Sequence, residues 1–90
     1  MDFKFEKNRI YLENEKGECV AEVTFPQISQ DEVNINHTYV DSSLRGQGIA
    51  DKLVRELAVY LRKNNKKAIS TCSYAVDWFG NHPEFDDVCK

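Results

Sequence analysis

The sequence lacks the features that mark several classes of protein. It has three cysteines, Cys19, Cys72 and Cys89, an odd number without Cys-x-x-Cys spacing. Such a set predicts neither a disulfide framework nor a zinc site, and we expect no metal. No apolar run approaches the roughly 20 residues that cross a bilayer, and the charged start "MDFKFEKNR" has no signal-peptide core. We therefore predict a cytoplasmic protein without membrane contact.

An excess of positive charge is also missing. The formal net charge is -3, and the Lys and Arg residues are scattered, whereas a nucleic-acid backbone selects clustered basic residues. Nucleic acid is therefore not a predicted partner. Hydrophobic residues at 41% and charged residues at 30% are typical of a globular chain. We predict one domain, residues 1–90, as a monomer or a weak dimer, with Cys89 exposed and able to form dimers by oxidation.

What is present predicts an ordered series of strands and helices. Alternating polar and apolar residues predict three strands within residues 3–25 and a fourth over residues 32–40. Apolar residues then recur every four positions from Ile49, which predicts an amphipathic helix of about five turns. A fifth strand at residues 67–71 and a short helix at residues 74–81 complete the pattern.

This order of elements predicts a mixed α/β fold. A strand, a helix and a strand make a right-handed crossover, so the fourth and fifth strands should be parallel and adjacent. The first four strands should form an antiparallel meander. We therefore expect a mixed sheet of that meander and one parallel βαβ unit, with a short C-terminal helix.

Two glycines and an arginine stand where the fourth strand gives way to the helix, in the stretch "RGQGIA" at residues 45–50. The first-turn N–H groups and the dipole of a helix attract an anion, and Arg45 can add a charged fork. A flexible surface turn with an N-cap is the alternative. The stretch is not a Walker loop, since no Gly-Lys-Ser/Thr follows, and it lacks the three-glycine Rossmann spacing.

The same stretch resembles a known family. Six consecutive residues match the Arg/Gln-x-x-Gly-x-Gly/Ala signature of the GNAT acyltransferase superfamily: Arg45, Gly46, Gln47, Gly48, Ile49 and Ala50. The resemblance implies that these residues hold the pyrophosphate of acetyl-coenzyme A as cosubstrate. It also implies that the preceding strand, which ends at Val40, pairs with the pantetheine arm.

A narrower resemblance extends over most of the chain. With "HTYVDSSLRGQGIADKLV" and "TCSYAVDWFGNHPEF", the sequence is similar to a subfamily of very small, single-domain GNAT-like proteins. In that group a cysteine at the end of the fifth strand and a histidine on the fourth are the proposed active-site pair. The resemblance therefore implies that Cys72 and His37 lie at the acetyl end of the site.

The residues themselves leave the chemistry open. Cys72 follows an apolar strand. It is either a thiolate that takes an acetyl group from a thioester at little cost in free energy, or a small buried residue that only packs. We expect His37 on the same face as Val33, Ile35 and Tyr39. There it is either a core residue or a base for Cys72. Cys72 either carries the acetyl group or only lines a site of direct transfer.

The sequence also departs from the wider superfamily. Many members carry a Tyr that protonates the departing thiolate, and Phe79 stands at that position here. Tyr74 or a water molecule is the remaining proton source, and the acceptor side is expected to be open. The predicted function is transfer of an acetyl group from acetyl-coenzyme A to a small amine, a thiol or a protein. The alternatives are a non-catalytic acyl-CoA-binding or sensing module and a protein-interaction domain that binds no nucleotide.

Overall fold

The computed structural model describes residues 2–90. These residues form seven strands: β1 (Lys4–Glu6), β2 (Arg9–Glu13), β3 (Cys19–Thr24), β4 (Gln27–Ser29), β5 (Glu32–Ile35), β6 (His37–Val40) and β7 (Lys67–Ser70). The helical segments are α1 (Ile49–Lys63), α2 (Ser73–Gly80) and two 3₁₀ turns at Ser42–Leu44 and Pro83–Val88. The predicted mixed α/β class and the short C-terminal helix are confirmed.

The strands form two sheets where a single mixed sheet was predicted. One sheet is antiparallel, with the order β1-β2-β3-β6, and the other has the order β4-β5-β7. Strands β5 and β7 are parallel, so the predicted crossover is confirmed. The predicted four-strand meander is interrupted, because the short hairpin of β4 and β5 leaves the first sheet.

The split between the sheets lies inside the predicted fourth strand, at Asn36. Residues before it pair with β7, whereas His37 after it pairs with Thr24 of β3. One residue without a place in either ladder reverses the direction of every side chain beyond it. Val33 and Ile35 are therefore buried, whereas His37 and Tyr39 are exposed. The prediction that these four side chains share one face is wrong for this reason.

Helix α1 packs against both sheets and defines their inner face; we call the opposite face the outer one. Its stripe of Leu53, Leu57 and Leu61 is fully buried, since residues four apart share a side of a helix. Ile10 and Val23 meet it from the first sheet, also fully buried. This core holds the β6–α1 junction and the end of β7 in place.

The helix ends after 15 residues, about four turns instead of the predicted five. Asn64 is the C-cap residue, and Asn65 takes a left-handed φ of +56°. Asparagine tolerates that conformation better than most residues. The "KNNKK" stretch therefore stops the helix earlier than its apolar period predicts.

Helix α2 is tied to the first turn of α1. Trp78, the single tryptophan of the sequence, donates its Nε1–H to Asp51 Oδ1 at 2.7 Å. His82 stacks on the indole with ring centroids 3.9 Å apart. Phe79 and Phe85 are buried beside it. These contacts position the start of α2 relative to the start of α1.

Candidate active site

The loop between β6 and α1 depends on two glycines in the left-handed region. Gly46 has a φ of +84° and Gly48 a φ of +71°, a region that costs most other residues roughly 1–2 kcal/mol. Nothing lies within 4 Å of the place a Cβ atom would take at either glycine. Backbone conformation, not close packing, therefore explains both.

The first turn of α1 is open to a ligand. Gly48 is the N-cap residue and offers no side chain to cap the helix. The first N–H groups of the helix are thus left for a ligand or water. Arg45 is exposed, and its guanidinium makes no hydrogen bond or ion pair within residues 2–90. The start of α1 and the Arg45 guanidinium therefore both bring positive charge to this loop.

The preceding 3₁₀ turn is fixed by its own side chains. Asp41 Oδ2 accepts the backbone N–H of Ser43 at 3.0 Å and also the Ser43 hydroxyl. These hydrogen bonds hold the pKa of the Asp41 carboxyl below its ordinary value. Ser43 therefore stabilises the turn.

A cavity of about 220 Å³ lies beside the loop. It is lined by six of the seven residues predicted to contact the cofactor: Val40, Arg45, Gly46, Gly48, Ile49 and Ala50. Gln47 is the one that does not line it, and Leu44, Asp51 and Tyr74 complete the wall. The end of β6, the glycine loop and the start of α2 thus share one concave surface.

A larger cavity, of about 940 Å³, lies between the β2–β3 hairpin and the 3₁₀ turn. Its charged lining is Asp2, Glu13 and Glu15 against Lys4, and Lys4 is already paired with Glu13 at 2.6 Å. Three carboxylates against one cation repel an anionic ligand, whereas in the smaller cavity Arg45 balances Asp51. The smaller cavity is therefore the better site for a pyrophosphate despite its size.

The two sheets diverge after β5, and we call the space between β6 of one sheet and the end of β7 of the other the gap. The carbonyl of Ile35 accepts the N–H groups of both Thr71 and Cys72, each at 3.1 Å. The N–H of Asn36 instead turns to the carbonyl of Thr24 on β3, at 3.2 Å. From this point β6 follows the first sheet and Cys72 stays with the second.

Thr38 and Cys72 face each other across this gap. Thr38 Oγ1 lies 3.4 Å from Cys72 Sγ. Thr38 and Val40 alternate with the exposed His37 and Tyr39, and so they share the inner face of β6. One strand face thus leads from the cavity beside the loop to the Cys72 thiol.

The surroundings of Cys72 favour its ionised form. Burial raises the pKa of the thiol, but the Thr38 hydroxyl and the backbone N–H groups of Ala75, Tyr74 and Thr38 lower it by more. The pKa of Cys72 therefore lies below the ordinary value of a cysteine. Cys72 is the N-cap residue of α2 but forms no capping hydrogen bond of normal geometry. The N–H groups of α2 thus act on the sulfur mainly through their charge.

His37 lies on the other face of the strand. Its half-exposed ring places Nε2 at 3.3 Å from Glu22 Oε2, and Arg9 Nε donates to Glu22 Oε1 at 2.8 Å. Because neighbouring residues of a strand point to opposite faces, Thr38 and not His37 contacts Cys72. The structure therefore does not support the expected pairing of His37, as a base, with the Cys72 thiol.

Comparison with known proteins decides the family. The sequence model of the GCN5-related N-acetyl-transferase family matches residues 9–88. The chain belongs to this family. The GNAT resemblance carried by residues 45–50 is thereby confirmed.

Solved GNAT structures share the fold. A GCN5-like protein from Staphylococcus aureus is 31% identical, with a TM-score of 0.82, and the match covers 99% of this chain and 87% of that one. A GNAT N-acetyltransferase from Escherichia coli, solved with CoA, is 22% identical with a TM-score of 0.60, and the match covers 69% of this chain and 38% of that one. A Mycobacterium tuberculosis protein, also solved with CoA, is 19% identical with a TM-score of 0.64, and the match covers 84% of this chain and 47% of that one.

The present chain therefore spans less than half the length of these two CoA-bound structures.

No curated protein matches it in sequence. Neither helix within residues 2–90 is long and apolar enough to cross a membrane.

Phe79, which the resemblance places at the position of the family's proton-donating Tyr, is buried in the core against Trp78. Tyr74 lines the cavity instead. Burial, followed by the nearby Asp51 carboxylate, raises the pKa of the Tyr74 phenol, which therefore stays protonated at neutral pH.

Thr38 is the site residue that the sequence analysis missed. Its contact with Cys72 depends on the break at Asn36, and Asn34 is an equally polar residue two positions earlier in the same predicted strand. No local signal distinguishes the asparagine that interrupts the ladder from the one that continues it. Only the pairing of β5 with β7 and of β6 with β3 does so.

Proposed function

We propose that the chain, as one domain of residues 1–90, binds acetyl-coenzyme A and transfers its acetyl group to an amine or thiol acceptor. The observation that carries the proposal is the continuous inner face of β6, from the cavity at the glycine loop to the Cys72 thiol. The two similar structures solved with CoA, one of them a GNAT N-acetyltransferase, support the choice of cosubstrate. The free thiols fit a reducing compartment, and we propose the cytoplasm.

Each end of acetyl-coenzyme A has a matching feature. The pyrophosphate would lie on the N–H groups of residues 46–50, beside the Arg45 guanidinium. Strand β6 is an edge strand of the first sheet, so its free backbone groups can pair with the amides of the pantetheine arm near Val40. The thioester would then reach the gap at Cys72.

Cys72 can take the acetyl group itself. Its thiolate would attack the carbonyl carbon, forming a new thioester as the bond between that carbon and the CoA sulfur breaks. The CoA thiolate leaves and takes a proton from the Tyr74 phenol or from water. The acceptor then attacks the acetyl-Cys72 thioester and restores the thiolate. Direct attack of the acceptor on bound acetyl-coenzyme A is the second route, in which Cys72 only lines the site.

We propose a role for His37 on the acceptor side. The ring lies on the outer face, half exposed, beside Glu22. An amine that approaches from this face would lose a proton as it attacks, and an imidazole can accept it. His37 would thus act on the acceptor, whereas Cys72 acts on the acetyl donor.

A non-catalytic acyl-CoA-binding or sensing module is the second candidate function. It is favoured by Phe79, which stands where the family resemblance expects the proton-donating Tyr and is buried against Trp78. Replacement of Cys72 by Ser separates the two functions. A sensing module should keep its ligand response in Cys72→Ser, whereas an enzyme that works through the thiol should lose turnover.

The test begins with calorimetric titration of the reduced protein with acetyl-coenzyme A. We expect saturable binding of one molecule per chain, and no binding at millimolar ligand would overturn the proposal. Peptide mass spectrometry of the same mixture then distinguishes the routes. Acetylation at Cys72, absent in Cys72→Ser, supports the covalent route, and tight binding without acetylation supports direct transfer or sensing.

A further inference from the structure

The break at Asn36 has a chemical consequence at the start of β6. Without it, residues 33, 35 and 37 would share the inner face, and His37 would point toward the core. With it, the inner side chain at this level is Thr38, whose Oγ1 lies 3.4 Å from Cys72 Sγ. The two residues are 34 positions apart in sequence, so the contact is created entirely by the fold.

We propose that Thr38 is the positioning residue of the Cys72 thiol. Its hydroxyl holds the sulfur at the mouth of the gap and donates a hydrogen bond to the sulfur when the thiol is ionised. The assignment rests on the proposed function, since it deepens the role of the same thiol. It differs from the pairing of His37 with Cys72 that the family resemblance implies, because His37 lies on the outer face.

The Thr38 hydroxyl is available to donate a hydrogen bond to the Cys72 sulfur. A thiolate can only accept hydrogen bonds, and a threonine hydroxyl has one proton to donate. Within residues 2–90, Cys72 is the one side chain that hydrogen-bonds to Thr38 Oγ1. Threonine is branched at Cβ and is stiff at χ1 on a strand, so the donor is held in place before the thiol ionises.

The other groups around the sulfur strengthen this reading. The N–H groups of Tyr74 and Ala75, at the start of α2, act on Cys72 together with Thr38. Among the described residues, the groups that lower the pKa of the thiol are uncharged donors. The charged neighbours of His37 are Glu22 on β3 and, through it, Arg9 on β2, both bound to one another on the outer face. Thr38 is therefore the one side-chain donor whose removal should change the thiol directly.

The experiment measures alkylation of Cys72 by iodoacetamide as a function of pH. The background carries Cys19→Ser and Cys89→Ser, so that Cys72 is the single thiol. Thr38→Val removes the hydroxyl and keeps the shape, Thr38→Ser keeps the hydroxyl, and His37→Gln is the matched control. Far-UV circular dichroism and a thermal melt of each variant establish folding, and Thr38→Ala replaces Thr38→Val if the valine variant does not fold.

We expect Thr38→Val to move the midpoint of the pH–rate profile upward by about one pH unit, as loss of one hydrogen bond to a charged group should. Thr38→Ser should restore the parent profile, and His37→Gln should leave it unchanged. A Thr38→Val profile that coincides with the parent would overturn the proposal, as would a larger shift in His37→Gln than in Thr38→Val.

The assay uses neither acetyl-coenzyme A nor an acceptor, so it separates this inference from the proposed function. If Cys72 is never acetylated but Thr38→Val shifts the profile, Thr38 is supported and the covalent route is overturned. If Cys72 is acetylated in the parent and Thr38→Val is acetylated at the parent rate at neutral pH, the covalent route stands and the role of Thr38 is overturned.

Discussion

The two helices of this protein begin in the same setting but in different ways. Both α1 and α2 follow a strand, and both begin beside the gap and cavity of the candidate site. The N-cap residue of α1 is Gly48, with a left-handed φ of +71° and no capping side chain. The N-cap residue of α2 is Cys72, in an extended conformation with φ −82°, and its own thiol lies near the first N–H groups.

The difference lies in where the negative charge comes from. At α1 the positive end of the helix is left open, which suits the anion of a ligand. At α2 it is directed to a side chain of the protein, where it favours a thiolate. The positive end of a helix thus favours ligand binding at α1 and thiol reactivity at α2. If the two helix starts are separate, a change at one should leave the other unaffected.

The largest expected effect is at the start of α1. Replacing Gly48 by Asp should weaken acetyl-coenzyme A binding by about 100-fold or more, roughly 2.7 kcal/mol, in a calorimetric titration. The new carboxylate would stand beside the first N–H groups of α1 and would repel the pyrophosphate. Gly48→Asn, which adds a side chain of similar size without the charge, should fall between Gly48→Asp and the parent protein.

Gly17 offers a matched control for that substitution. It also has a left-handed φ, +79°, and nothing within 4 Å of its Cβ position, but it lies in the β2–β3 hairpin. Gly17→Asp should carry a similar backbone strain and leave binding unchanged. Equal losses in both variants would mean that strain, and not the anion site, explains the effect at Gly48.

A smaller loss is expected from the arginine beside the loop. Arg45→Gln should weaken acetyl-coenzyme A binding by about tenfold, because one exposed charge-assisted hydrogen bond is lost, and should reduce the dependence of binding on salt. Lys16→Gln makes the same charge change on an exposed hairpin residue and should have little effect. If both variants lose the same affinity, the attraction is a property of net charge and not of the loop.

Two cysteines of the same chain test the start of α2. At Cys72 burial is outweighed by hydrogen-bond donors, and its pKa is lowered. At Cys89 burial, with Asp86 and Asp87, raises the pKa, and the thiol is half-buried rather than exposed as predicted. We expect iodoacetamide to alkylate Cys72 several-fold faster than Cys89 at neutral pH. The pH–rate profile of Cys72 should also have its midpoint at a lower pH than that of Cys89. Peptide mass spectrometry follows each site, and in denaturant the difference should largely disappear.

The two helix starts also differ in how far sequence predicts them. The α1 start is visible because a left-handed backbone selects glycine, so Gly46 and Gly48 carry a local signal. The α2 start carries none, since any residue accepts the extended conformation of Cys72. Its partner Thr38 depends on a one-residue break at Asn36, which only the competition between two sheets decides. The helices and the parallel crossover were predictable because they rest on periodicity and handedness.

The smallest expected effect concerns the bond that joins the two helix starts. Trp78→Phe removes the N–H that reaches Asp51 at 2.7 Å and should lower the free energy of unfolding by about 1 kcal/mol, measured by urea titration with circular dichroism. Water can replace the lost donor, because the Asp51 side chain is 43% exposed. Acetyl-coenzyme A binding and Cys72 alkylation should stay close to parent values if each helix start acts by itself. A marked loss of either in a folded Trp78→Phe protein would instead show that the indole couples the anion site to the thiol.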